Sequence, residues 1–169
     1  MIRRSRPGHR PIPLDDSAAL RGAADAIADR HGVVDVLVNS AGITKKVDHA
    51  DLEGLTDAEF DRILTVNVRG TFSVIRAFTP LLRSSGDAVV ATICPGARPT
   101  GADLQPLAGG GRHGFVAGRD PAVVRAQAAS APLRVVADPD DVACSLIGAV
   151  TSLRLSSGTV VVFDGGGHL

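Results

Sequence analysis

Short apolar runs along the chain predict three β-strands. Residues 34–38 (Val-Asp-Val-Leu-Val) hold four apolar positions in five, which predicts a short strand buried on both faces of a parallel sheet. Residues 88–94 (Ala-Val-Val-Ala-Thr-Ile-Cys) predict a second strand, and residues 159–163 (Thr-Val-Val-Val-Phe) predict the last one. Because stretches with helical spacing separate these strands, the pattern indicates an α/β fold.

The stretch before the first strand predicts a helix. Asp15, Asp16 and Ser17 each offer a short side-chain oxygen that can accept from an unpaired first-turn N–H. Apolar residues then recur at helical spacing as far as Gly32. They are Ala19, Leu20, Ala23, Ala24, Ile27 and Ala28.

A long helix is predicted between the first two strands. Residues 56–59 (Thr-Asp-Ala-Glu) fit a capping box that starts it. The apolar residues after this box lie on two faces, which suit packing against a sheet and against a partner. They are Phe60, Ile63, Leu64, Val66, Val68, Phe72, Val74, Ile75 and Phe78. Pro80 should kink or shorten the last turn, and residues 84–86 should end the helix.

Composition sets the class of protein. The chain of 169 residues fits one domain, and its 44% hydrophobic and 21% charged residues are ordinary for a globular protein. Eighteen basic and eighteen acidic residues cancel, so net charge favours neither nucleic acid nor an anionic membrane. The two cysteines and five histidines lack metal-ligand spacing. We therefore expect a cytoplasmic protein with no metal, no nucleic-acid partner and no membrane partner.

Five short motifs follow one another along the chain. They are residues 38–42 (Val-Asn-Ser-Ala-Gly), 67–70 (Asn-Val-Arg-Gly), 95–100 (Pro-Gly-Ala-Arg-Pro-Thr), 140–143 (Asp-Asp-Val-Ala) and 162–166 (Val-Phe-Asp-Gly-Gly). In this order they resemble motifs of the short-chain dehydrogenase/reductases, with Ser40 replacing the second Asn of the NNAG signature. The resemblance implies a truncated, doubly wound α/β sheet of the Rossmann kind. Residues 1–169 would form one incomplete domain, with a flexible tail at 1–12 and a substrate-loop-like region at 101–137.

The resemblance also implies a set of site residues. NAD or NADP would lie beyond the carboxyl ends of the strands. The cofactor-binding candidates are Asp15, Asn39, Ala41, Gly42, Pro95, Gly96 and Thr100. Asn67 matches the catalytic Asn of the family, which lies at a helix break and orders a water in the proton relay.

Two parts of the family's machinery are missing from the sequence. The chain has no tyrosine, and Lys45 and Lys46 are its lysines, so the Tyr-x-x-x-Lys acid/base pair cannot be present. The glycine-rich TGxxxGxG turn is absent as well. Residues 88–94 fit both the fifth and the sixth strand of the family, as if the segment between them had been deleted. We expect little or no hydride transfer by this chain alone.

Each candidate residue also has a structural alternative. Asp15 or Asp16 can simply cap the helix, and residues 39–42 can form a tight turn that needs small side chains. Asn67 can be structural, since it has no Tyr or Lys to relay to. Residues 95–100 can be a turn that starts a loop, while Cys94 can be a buried, inert small side chain or a thiol nucleophile.

Three hypotheses for the whole chain follow. The first is a short-chain dehydrogenase/reductase by family, ancestrally transferring hydride between an alcohol and a carbonyl. The second is a non-catalytic partner or regulatory subunit, either a homo-oligomer or a hetero-oligomer with a full-length homologue. The third is a degraded or mis-delimited gene product, since the Gly-, Arg- and Pro-rich run 96–114 is compatible with a disturbed reading frame.

Overall fold

The structure of the protein is a computed structural model. It describes residues 11–45, 47, 50–94, 121–130, 132–135, 137, 139–153 and 155–163. Contacts along the chain group into two compact units, Met1–Val90 and Ala91–Leu169. The first unit carries nearly all of the regular structure around the candidate site.

Helix α1 runs over Ser17–His31, as the apolar spacing predicts. The Asp16 carboxylate caps it by accepting from the backbone N–H groups of Ala18 and Ala19, both at 2.9 Å. Gly32 ends the helix with φ 76°, a conformation that favours glycine, and its N–H donates to the Ala28 carbonyl. The capping role expected for Asp15 or Asp16 therefore falls to Asp16.

The predicted long helix forms as one continuous helical run with a wider turn in its middle. A short 3-10 helix, Leu52–Gly54, precedes it. Helix α2 spans Asp57–Leu64 behind the Thr56–Glu59 capping box, and helix α3 spans Thr71–Ser85. Between them Thr65–Gly70 forms a π-helical segment, here called the π turn. The backbone stays right-handed helical at both junctions, with Leu64 at φ −64°, ψ −40° and Thr71 at φ −56°, ψ −46°.

Pro80 lies inside α3 without shortening it. The helix continues to Ser85, so of the two predicted effects, a kink or a shortened last turn, Pro80 does not produce the shortening. Gly86 ends the helix in the left-handed conformation, φ 76°, as residues 84–86 predict. Beyond it, the Leu81 carbonyl accepts from the Val34 N–H at 3.3 Å, which ties the end of α3 to the approach to the first strand.

Two strands form the parallel sheet of the described residues. Strand β1 is Val36–Asn39 and strand β2 is Val89–Thr92, hydrogen-bonded neighbours in the order β1-β2. The Val89 N–H donates to the Asp35 carbonyl at 2.8 Å. The α/β class with a parallel sheet is confirmed.

The core lies between α1, α3 and one face of β1. Ala24 of α1 packs with Phe78 and Leu81 of α3. Val34 and Leu37 pack against this cluster from the strand side. The apolar spacing of both helices therefore serves one shared interior.

Two strand predictions need correction. Val36 and Val38 are 46% and 43% exposed, so β1 is buried on one face and not on both, because the described helices cover only the Leu37 face. Residues 159–163 are neither helix nor strand, and Val160 is 84% exposed. A strand needs a hydrogen-bonded neighbour, and the sheet of the described residues gives this segment none.

The second unit holds two further helices. Helix α4 spans Pro121–Ser130 and begins at its proline, and helix α5 spans Pro139–Ser152 with two aspartates in its first turn. Proline is favoured at the first helical position, where its missing N–H would have no partner, and the two aspartates lie where the helix dipole favours negative charge. No helix in the described ranges combines the length and apolarity needed to cross a bilayer.

We expect Gly70→Ala to destabilise the first unit and Gly22→Ala to stabilise it. A Cβ at Gly70 would lie 2.8 Å from the Leu14 Cβ, whereas a Cβ on Gly22 of α1 meets nothing within 4 Å. Helix propensity favours Ala at both sites by about 1 kcal/mol. At Gly70 the steric clash with Leu14 outweighs this gain, because overpacking lowers the free energy of unfolding by about 1–3 kcal/mol. Urea denaturation followed by circular dichroism measures both, and equal shifts in the two variants would contradict the contact.

Candidate functional site

The segment that follows β1 forms the centre of the candidate site. Strand β1 ends at Asn39, which is 9% exposed, and residues 40–45 continue without helix or strand. Ala41 is exposed and Gly42 is half-buried. The small side chains leave backbone accessible beside the end of the strand, where a flat ligand can approach closely.

Asn67 holds this segment in place. Its Oδ1 accepts from the Ile43 N–H and its Nδ2 donates to the Ile43 carbonyl, both at 2.8 Å. The amide therefore pairs with both backbone groups of one residue, as a neighbouring strand would. Asn67 lies in the π turn of a continuous helix. The helix break that the resemblance implies is therefore a widened turn here.

The backbone of Asn67 is engaged as well. Its carbonyl accepts from the Thr71 hydroxyl at 2.8 Å. A threonine hydroxyl in a helix can donate to the carbonyl four residues before it, as Thr79 does to Ile75 within α3. The side chain and the carbonyl of Asn67 both have protein partners, which agrees with the structural reading of this residue.

A second tether joins the same segment to the start of α2. Lys45 Nζ donates to Glu59 Oε2 at 2.6 Å, with the two side chains 41% and 39% exposed. The same oxygen accepts from the Thr56 hydroxyl at 3.0 Å and from the Thr56 N–H at 3.3 Å. The Thr56 hydroxyl accepts in turn from the Glu59 N–H at 3.4 Å. Glu59 therefore closes the capping box and anchors Lys45 with one carboxylate oxygen.

These donors change the acidity of Glu59. The hydrogen bond from Lys45 is the largest cause that lowers the pKa of the Glu59 carboxyl below its ordinary value of 4.5. Desolvation raises the pKa, while the side-chain and backbone bonds from Thr56 and the charge of Lys45 lower it further. The net effect is a lowered pKa, because each donor favours the ionised form of the Glu59 carboxylate.

The structure brings some of the predicted site residues together. Asn39, Ala41 and Gly42 lie on the segment that Asn67 holds at Ile43. Asp15 is exposed in the turn before α1. Its neighbour Leu14 contacts Gly70, the last residue of the π turn. Pro95, Gly96 and Thr100 lie outside the described residues.

Two contributors were not predicted from the sequence. Ile43 acts through its backbone, which no residue-type pattern reveals. Lys45 bonds to Glu59, which lies 14 residues further along the chain. The two residues meet only because the fold brings the segment after β1 next to the start of α2. Cys94 is exposed and outside any disulfide. The expectation of a buried, inert Cys94 is therefore wrong in its burial.

Sequence comparison gives the family. The family model described as enoyl-(acyl carrier protein) reductase matches residues 8–104. The chain belongs to the short-chain dehydrogenase/reductases. It is 29% identical over 187 residues to a granaticin polyketide synthase putative ketoacyl reductase of Streptomyces violaceoruber, covering 92% of this chain and 75% of that protein. It is 35% identical over 110 residues to the fluoren-9-ol dehydrogenase of a Terrabacter species, covering 62% of this chain but 29% of that protein.

Structure comparison gives the fold. The chain is similar to the Pseudomonas aeruginosa RhlG/NADP active-site complex, with a TM-score of 0.77 and 24% identity. The match covers 95% of this chain and 76% of that one. The Rossmann-like α/β fold expected from the motifs is confirmed. NAD or NADP is the cofactor that the family resemblance supports.

We expect Asn67→Leu to release the segment after β1. The change removes both bonds to Ile43 and leaves two part-buried backbone groups without these partners, lowering the free energy of unfolding by about 1–3 kcal/mol. Hydrogen exchange of the Ile43 amide should become faster. Ser84→Ala is the matched control, because it removes an exposed hydroxyl bond to Pro80 and should change stability by less than about 0.5 kcal/mol. Unchanged exchange at Ile43 in Asn67→Leu would refute the tether.

We expect the Lys45 tether to weaken in acid. Because the folded-state pKa of Glu59 lies below its ordinary value of 4.5, the stabilisation is present above that pH and is lost as the pH falls through the folded-state pKa. A carboxyl-detected NMR titration should place the Glu59 midpoint below 4.5. Lys45→Met should move that midpoint upward, whereas Arg62→Met, on the same helix, should leave it unchanged. An identical midpoint with and without Lys45 would contradict the assignment.

Proposed function

We propose that this chain, a member of the short-chain dehydrogenase/reductases, turns over little or no alcohol or carbonyl substrate alone. The observation that supports this most directly is the state of Asn67, whose amide binds both backbone groups of Ile43. Asn67 is thereby a structural tether. The sequence contains no tyrosine to donate a proton beside it. Under this proposal, the oxidoreductase activity of the family is the ancestral activity of the chain.

Ligand binding is proposed at the segment after β1. The half-buried Gly42 and the exposed Ala41 leave room for a flat ring, and Asn39 lies at the strand end beside them. This arrangement suits the adenosine part of NAD or NADP. The sequence lacks the TGxxxGxG turn that would hold the pyrophosphate. Each missing charge-assisted bond is worth about 1.5–3 kcal/mol, so affinity should fall by orders of magnitude.

General acid–base catalysis contributes roughly 10²–10⁴ in rate, and this chain lacks the phenol that supplies it. We therefore expect pure protein with NADH or NADPH to reduce a panel of ketones and β-ketoacyl thioesters at least about a hundredfold more slowly than an intact family member. Cofactor absorbance at 340 nm measures the turnover, with the intact enzyme as positive control. Turnover at the control's rate would sink the proposal.

A second candidate function is a non-catalytic partner or regulatory subunit. The observation that favours it is a row of exposed apolar side chains on the outward face of α2 and α3, which includes Phe60 at 51% and Phe72 at 60% exposure. Large exposed apolar patches mark interaction surfaces. The partner would be a second copy or a full-length homologue. Light scattering of the protein, alone and mixed with a full-length relative, tests whether it assembles.

We also propose a cytoplasmic location. Cys94 and Cys144 are both exposed and outside disulfides. Exposed thiols persist where the compartment is reducing.

A further inference from the structure

A groove lies between helix α3 and strand β2. It has a volume of about 380 Å³ and is open to solvent on one side. Helix α3 contributes Ile75, Thr79 and Leu82, which recur at helical spacing, and the strand side contributes Ala88 and Val90. These residues all belong to the first unit. Ligand pockets have volumes of about 300–1,000 Å³ and mostly apolar walls, so the groove has the size and the lining of a small-molecule site.

The pairing of the two strands places Val90 on the groove side. The Val89 N–H donates to the Asp35 carbonyl, so in the parallel ladder Val90 lies beside Leu37. Leu37 packs against the core that α3 shares with α1, and Val90 therefore lies on the same face of the sheet. Val90 is nevertheless 42% exposed, so the described helices leave this flank of β2 open.

A single cation borders the apolar walls. Arg83 of α3 lines the groove and is exposed. The ion pair of the described residues joins Lys45 to Glu59, so Arg83 has no carboxylate partner among them. Between Asp61 and Asp87 the chain contains no acidic residue, and Asp87 does not line the groove. An unpaired guanidinium beside apolar walls favours an anion that carries an apolar body.

Two further donors at the groove are already used. The Thr79 hydroxyl donates to the Ile75 carbonyl at 2.8 Å, and the Gly86 N–H donates to the Arg83 carbonyl at 3.3 Å. Among the described side chains that line the groove, Arg83 is therefore the one with donors to offer. Its planar N–H groups match the two oxygens of a carboxylate. One guanidinium balances one negative charge, which favours a monocarboxylate over a doubly charged phosphate.

We propose that this groove binds a small aliphatic monocarboxylate. The carboxylate pairs with Arg83, and the aliphatic chain lies along Leu82 and Val90. Ala88 immediately precedes β2, so the groove lies at the amino end of that strand, whereas the segment after β1 lies at a carboxyl end. Because the strands are parallel, the two sites lie at opposite edges of the sheet, and neither candidate function requires the groove.

An NMR titration with sodium hexanoate at constant ionic strength tests the site. The backbone amides of Leu82, Gly86 and Val90 should shift together and saturate with a Kd of about 1–5 mM, as expected for a small ligand in an open groove. The amide of Ala24, a buried residue of α1, should not shift. Acetate carries the same charge without the chain, and it should give no saturable shift below about 100 mM.

Two variants and an uncharged ligand test the role of Arg83. Arg83→Gln should weaken hexanoate binding at least about tenfold and leave the weaker binding of 1-hexanol unchanged, because the alcohol lacks the charge that pairs with the guanidinium. Arg62→Gln is the matched control, since Arg62 is an exposed arginine that does not line the groove. It should keep the wild-type Kd. Both substitutions are at exposed positions, and circular dichroism should show both variants folded.

The other outcomes each overturn the assignment. Equal hexanoate affinity in Arg83→Gln and wild type would remove the carboxylate from Arg83, and equal weakening by Arg62→Gln would show general charge attraction only. Shifts confined to residues 39–45 would place the ligand at the candidate cofactor site, and the absence of saturable shifts would show that the groove takes no such ligand. Turnover with NADH or NADPH and assembly with a relative are separate measurements, so the proposed function stands or falls independently of these results.

Discussion

One side-chain amide fixes the geometry on which the candidate site depends. Asn67 pairs with the backbone of Ile43 across 24 residues of sequence, with both bonds at 2.8 Å. It thereby does what a further strand would do, at a place where β1 has already ended. The Lys45–Glu59 ion pair adds a second anchor to the same segment. Exposed ion pairs contribute little, so the amide carries most of the tether.

The six residues of the π turn contribute to three different parts of the structure. Towards the sheet it presents Asn67 to Ile43. Towards the N-terminal segment it presents Gly70, whose missing side chain lets Leu14 approach. Towards solvent it presents Val68, which is 63% exposed. Changes in this turn should therefore affect the site and the outward face together, and π-helical segments are common where such demands meet.

Local signals in the sequence predicted local structure well. Asp16 and the Thr56–Glu59 box predicted the starts of α1 and α2 because capping involves neighbours in sequence. The exposed face of β1 was not predictable, because burial of Val36 depends on which elements cover the sheet. The contact between Lys45 and Glu59 was not predictable either, because no helical or strand periodicity relates these two positions. The motifs identified the family, and the tethering role of Asn67 required coordinates.

The half-exposed Val36 and Val38 give β1 a further property. A short strand with solvent-exposed valines on one face is a potential aggregation site. Four residues make a small template, and the chain has as many positive as negative charges, so net repulsion between molecules at neutral pH is weak. The purified protein should consequently stay in solution best at a pH well away from about 7.0, the isoelectric point that its sequence gives.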